Sequence, residues 1–210
     1  MDLLFNALIT LLVVIDPVGV AATYSTLTAQ ANSSEKARIA RNGVWIAAGI
    51  LYFFALTGNA FLHALGITIP AFRIAGGILL FILAIEMILV RPSGLHATSD
   101  PESLDAEQRR DIAVFPLAIP LIAGPGAITS VLLLMGHAWS DPWSAIGLLV
   151  VIAIALGVTF GMLRLASRLM RLLGVTGTQV VGRVLGILLA ALAIQFILDG
   201  IHGAGWLPGG

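Results

Sequence analysis

Six runs of mostly apolar residues, at about 3–28, 43–64, 69–90, 112–136, 144–163 and 179–200, set the terms on which this chain can fold. Each is close to the roughly 20 residues a helix needs to cross a bilayer. Hydrophobic residues make up 59% of the 210, charged residues only 10%, and the mean hydropathy is +1.02. Soluble domains run at about 45–50% apolar and about 25% charged, so a water-soluble core cannot absorb the excess. The class is an all-α integral membrane protein with six transmembrane helices. The chain has no cysteine, which removes disulfides and thiol metal sites. Its start, "MDLLFNALIT", carries Asp2 and no basic residue, and reads as a retained first span rather than a cleaved signal.

Basic residues order the spans. Lys36, Arg38 and Arg41 fall between spans one and two; Arg91, Arg109 and Arg110 between three and four; Arg164, Arg168 and Arg171 between five and six. The other two connections, "HALGITI" and "HAWSDPW", hold no Lys or Arg. The positive-inside rule makes the three basic connections cytoplasmic and places both termini outside, periplasmic or extracellular. Were segments one and four re-entrant, the arginines after span five would move to the outer face, so the charge pattern favours full spans. The polar stretch 91–111 reads as a cytoplasmic linker between a first three-helix unit, 1–90, and a second, 112–210.

The two units echo each other. "GGILLFILAIEMIL" at 76–89 matches "LGILLAALAIQFIL" at 185–198 with an offset of 109, and "LGIT" at 65–68 matches "LGVT" at 173–176. "VIDPVG" at 14–19 faces "IAGPGA" at 122–127, with Pro17 and Pro125 at an offset of 108. Three spans per unit is an odd number, so the second unit must insert upside down. This predicts a 3+3 inverted repeat, the arrangement common in secondary transporters.

The first span of each unit carries a break. Proline lacks a backbone donor and clashes with the preceding turn, but it suits the first position of a helix. Asp16 therefore reads as an N-cap with Pro17 at N1, and Gly124-Pro125-Gly126 as a second helix start. Spans one and four thus become pairs of half-helices whose N-termini, each carrying about half a positive charge, converge near mid-membrane. A carboxylate would satisfy their orphan N–H groups, and Asp16 could take an ammonium, a proton or a coupling cation. Gly19, Thr23, Thr129 and Ser130 complete the candidate substrate site, with further hydroxyls on Ser25, Thr26 and Thr28. A structural kink with self-bonded hydroxyls is the competing reading.

Arg73 and Arg183 recur at nearly matching places, about one turn inside their spans. Pairing with Asp16 or with opened backbone stands beside simple snorkelling to the interface. Glu86 and Asp199 read as interfacial, and Gln195 as a helix-packing hydrogen bond. Gly157/Gly161 and Gly182/Gly186 have the spacing of close helix packing, within one bundle or between protomers of a homo-oligomer. No GxSxG, HExxH, paired transmembrane aspartates or Cys/His metal set occurs, and His63, His96, His137 and His202 are scattered, so neither an enzyme nor a metal centre is expected.

"VIDPVG", "RIAGGILLFILAIEMIL", "PLAIPLIAGPGAIT" and "LAIQFILDGI" together resemble the MarC family of six-span membrane proteins over nearly the whole chain. The resemblance implies a multi-pass inner-membrane protein grouped with neutral amino-acid transporters, glycine and alanine among the assigned substrates, and a family name taken from an antibiotic-resistance locus. The family's breaks fall on Asp16, Pro17 and Gly19 and on Gly124, Pro125 and Gly126. Many members read D-P-x-G-N-x-P; this chain has Val20 and Ala22 where Asn and Pro would stand.

The expected function is alternating-access transport of a small neutral amino acid. It needs no cofactor beyond a coupling proton or sodium ion and no nucleic-acid partner. The alternatives are an exporter of larger amphiphiles, or a stress- or antibiotic-tolerance protein, and a channel.

Overall fold

The computed structural model describes residues 2–89, 112–138 and 141–205, and every element among them is helical. The expected linker 91–111 lies outside the described residues. In chain order the elements are α1 (Asp2–Ile15), α2 (Pro17–Leu27), α3 (Ser33–Ala64), α4 (Ile69–Leu89), a π-helical segment (Ala113–Ile122), α5 (Pro125–Ala138) and α6 (Pro142–Gly203). Five stretches are long and apolar enough to cross a membrane, and a sixth if Ala113–Ile122 and Pro125–Gly136, bent by 53°, count as one.

Two helices outrun the apolar runs that announce them. The second span was expected to begin near residue 43, yet α3 begins at Ser33, because Asn32 and Glu35 form a reciprocal capping box: Glu35 N donates to Asn32 Oδ1 (2.9 Å) and Asn32 N to Glu35 Oε2 (3.0 Å). Lys36, Arg38 and Arg41 therefore sit on the opening turns of a helix and not in a loop. Likewise Arg164, Arg168 and Arg171 lie on α6, whose first arm continues to Gly174. There φ is +61°, a conformation glycine adopts without a Cβ penalty, and the second arm follows (Gln179–Gly203). The Leu- and Arg-rich stretch 163–173 is made of good helix formers, so the helix stops only where glycine lets it.

The fourth span departs most from expectation. Its irregularity begins at Phe115 (φ −129°, ψ 125°) and Ile119 (φ −125°, ψ 124°), well before Gly124. Each precedes a proline, and a residue before proline is pushed from helical to extended backbone. Between them Leu117 N reaches back five residues to Ile112 O (3.2 Å), and Ala123 N to Ala118 O (2.9 Å).

Contacts fix the relative directions of the helices. Gly43 packs on Leu117 and Gly58 on Leu132, so α3 runs parallel to the π segment and α5. Gly76 packs on Thr129 and Gly126 on Leu80, so α4 runs antiparallel to α5. A Cβ on Gly77 would lie 2.7 Å from Ile197 Cγ1 and 2.8 Å from Ala193 O; one on Gly186 would lie 3.0 Å from Ile88 Cγ1 and 3.2 Å from Ala84 O. The α4 helix and the second arm of α6 thus cross antiparallel at backbone contact. Of the four small-spacing glycines, only Gly186 is packed this way; Gly157, Gly161 and Gly182 face open space.

The centre is made of small and aliphatic side chains, among them Ala7, Leu11, Leu51, Leu80, Leu117, Ile152 and Leu189. Outside it, Trp45, Phe53, Ile78, Ile82, Val150, Ile187 and Leu188 are exposed. Exposed apolar surface on every long helix is the signature of a lipid-facing belt.

Candidate functional site

Between α1 and α2 a single residue interrupts the helix. Asp16 N still donates to Leu12 O (3.1 Å), and Asp16 O already accepts from Val20 N (2.9 Å). Asp16 itself sits in the left-handed region (φ 48°, ψ 70°), which aspartate visits more readily than most residues. Its side chain closes the N-terminus of α2: Oδ1 accepts from Gly19 N at 3.0 Å, and Pro17 takes the position where no donor is needed. A Cβ at residue 19 would collide with the Asp16 carboxylate, so glycine here is what lets the cap form.

The second helix start is built differently. Gly124 has no side chain with which to cap α5, so Gly126 and Ala127, which open α5 behind Pro125, have no side-chain acceptor at their N-cap. A Cβ at Gly124 would strike the Pro120 carbonyl, and one at Gly126 would strike Leu80.

Both helix starts border one cavity of about 220 Å³. Of the sequence-derived site residues, Asp16, Gly19, Thr23, Gly124, Pro125 and Gly126 line it. Pro17, Thr129, Ser130, Arg73 and Arg183 do not. Pro17 is buried within the cap, and Thr129 is buried with its hydroxyl donating to Pro125 O (2.8 Å). Ser130 is fully buried, its Oγ without a partner. Arg73 is half-buried beside Gly200, and Arg183 is exposed. Thr26 and Thr28 turn their hydroxyls back onto Ala22 O (3.3 Å) and Tyr24 O (2.7 Å), as helical threonines do without any ligand.

Sequence reasoning missed the apolar lining. Leu79, Leu83 and Met87, three successive turns along one face of α4, line the cavity, as do Pro120, Leu121 and Ile122. The spacing of four residues was readable, but six spans offer many such stripes. Glu86, expected at the interface, is buried at 8% exposure, and neither carboxyl oxygen has a hydrogen-bond partner among the described residues. Among the described residues Gln195 makes no interhelical bond; its Nε2 donates to Asp199 Oδ1 (2.7 Å) one turn along the same helix.

Comparison with known proteins agrees with a membrane-spanning chain. The sequence model described as "MarC family integral membrane protein" matches residues 1–205. A UPF0056 membrane protein of Archaeoglobus fulgidus is 36% identical over 203 residues, covering 94% of this chain and 91% of its own length. The UPF0056 membrane protein YhcE of Escherichia coli K12 is 34% identical over 203 residues (95% and 92%), and YvbG of Bacillus subtilis is 31% identical over 199 (94% and 93%). No solved structure matches.

Proposed function

The chain belongs to the MarC family of integral membrane proteins, and we propose that it is a secondary transporter of small neutral amino acids, working by alternating access in the inner membrane with both termini outside. The observation that carries this reading is the shared cavity, with a carboxylate at one helix start and uncapped N–H groups at the other. A zwitterion needs both. The Asp16 cap consumes the donors of α2, so the substrate carboxylate belongs at the start of α5, where the orphan donors and the positive helix end lie together. Asp16 itself lines the cavity, where its carboxylate would take the ammonium or the coupling proton or sodium ion. Glycine- and alanine-like substrates are the simplest molecules that bridge the two ends. The cavity is small beside the 300–1,000 Å³ of drug-sized sites, which favours an amino acid over the larger amphiphile of the exporter reading.

The inverted 3+3 arrangement has support in the reciprocal glycine contacts. With the offset of 109, Gly77 corresponds to Gly186, Ile88 to Ile197 and Ala84 to Ala193. Each glycine meets the partner of the other, as a twofold axis between α4 and the second arm of α6 requires. Such an axis passing near the breaks suits a carrier that exposes one site alternately to either side.

The test is flux in liposomes holding the purified protein, with labelled alanine and glycine and imposed proton or sodium gradients. Saturable, gradient-dependent accumulation is expected, and Asp16→Asn should lose it while still inserting and folding. Flux no higher than in empty liposomes under every gradient would overturn the reading.

A further inference from the structure

We infer that Leu79, Leu83 and Met87 form the side-chain subsite of this carrier, and that its preferred substrates are neutral amino acids with extended aliphatic side chains, of the leucine and methionine kind. This rests on the transport reading and goes beyond it in naming what the apolar half of the cavity recognises. The cavity lining is of two chemical kinds. Asp16, Gly19 and the Gly124–Gly126 turn supply its charged group and helix-end donors, and Leu79, Leu83 and Met87 supply an apolar stripe from α4.

Positions four apart on a helix lie on one face about 6 Å apart along the axis, so the three side chains make an apolar strip about 12 Å long. Val14, Ile15 and Val20 extend the apolar lining from α1 and α2. Glycine or alanine, held by its two charged ends, leaves that strip facing water. A longer aliphatic side chain covers it, and each buried methylene adds about 0.8 kcal/mol of transfer free energy. The strip offers no hydrogen-bonding group, so serine or threonine gains nothing there.

The experiment measures inhibition of labelled-leucine binding and of leucine counterflow by glycine, alanine, valine, leucine and methionine, using the full chain in liposomes. Leucine and methionine should compete at concentrations at least tenfold lower than glycine, since one or two methylenes in an apolar pocket discriminate by about that factor or more. Leu83→Phe, which fills the strip, should weaken leucine about tenfold or more and so erase most of the preference for leucine over alanine. Leu79→Phe serves the same purpose should Leu83→Phe fail to fold. Equal competition by glycine and leucine in the wild type, or a variant that weakens all five alike, overturns the subsite while the carrier reading stands. Failure of every amino acid to bind or exchange overturns both.

Discussion

Among the described residues the dipeptide Asp-Pro occurs twice as a helix start, and the two copies separate what a residue pair decides from what its surroundings decide. Asp141 caps α6 as Asp16 caps α2, accepting from Ser144 N (3.0 Å) and the Ser144 hydroxyl (2.7 Å) in front of Pro142. It stands exposed at the end of a span, where these bonds hold its carboxyl below the ordinary aspartate value. They favour the ionised form, so the cap's contribution is complete above the ordinary aspartate range and disappears as pH falls through the lowered value. The melting temperature in detergent should therefore drop more steeply with acidification for the wild type than for Asp141→Asn; equal slopes would show that the cap adds no stability. Asp16 needs a different comparison. Asn keeps the acceptor for Gly19 N and tolerates the left-handed backbone, so Asp16→Asn should melt close to wild type, whereas Asp16→Ala should lose about 1 kcal/mol of cap. Glu86 is the residue whose depth sequence position misjudged. Lying three residues from the end of α4, it reads as interfacial, but tertiary packing closes over both its oxygens. Leaving a buried polar group unsatisfied costs about 1–3 kcal/mol. Glu86→Leu should accordingly raise the melting temperature; a lower one would mean that the carboxyl has a stabilising partner in the membrane.

At the scale of elements, the apolar runs were legible because bilayer thickness alone dictates their length, and the two helix starts were legible because proline and glycine act locally. Helix ends beyond the apolar runs were not, since a capping box at Asn32 and a single glycine at 174 carry more weight there than hydropathy. Nor was the π segment. Pro116 and Pro120 each force extended backbone on the residue before them, and together they spread over ten residues a disruption that the Gly-Pro-Gly motif suggests is confined to three. Gly124 belongs to that longer disruption, because its bare Cα is what clears the Pro120 carbonyl. Gly124→Ala should lower the melting temperature and reduce substrate binding together. Gly157→Ala is the matched control: the site is open, and replacing an interior helical glycine adds up to about 1 kcal/mol of helix propensity. A Gly124→Ala variant as stable as Gly157→Ala would show that the turn has room the backbone contacts deny.

For the whole molecule, the internal repeat makes a claim that no single site can. In an inverted repeat, the inward-open and outward-open states are related by exchanging the conformations of the two units. A contact between residues of different units is in general made in one state and broken in the other. The α4–α6 crossing is an exception by construction, because the contact of Gly77 with Ile197 and that of Gly186 with Ile88 are images of each other and both are present at once. On the proposed alternating-access reading, the crossing is the fixed axis about which the remaining spans would rearrange. The chain contains no cysteine, so paired cysteines can be introduced without background. The pairs Gly77→Cys with Ile197→Cys and Gly186→Cys with Ile88→Cys should oxidise to similar extents, and oxidation should leave amino-acid counterflow in liposomes at the level of each reduced variant. Cross-linking at one pair alone would show that the two contacts are not equivalent. Cross-linking at both with loss of counterflow would show that the helices must part at the axis, and would move the pivot of the carrier elsewhere.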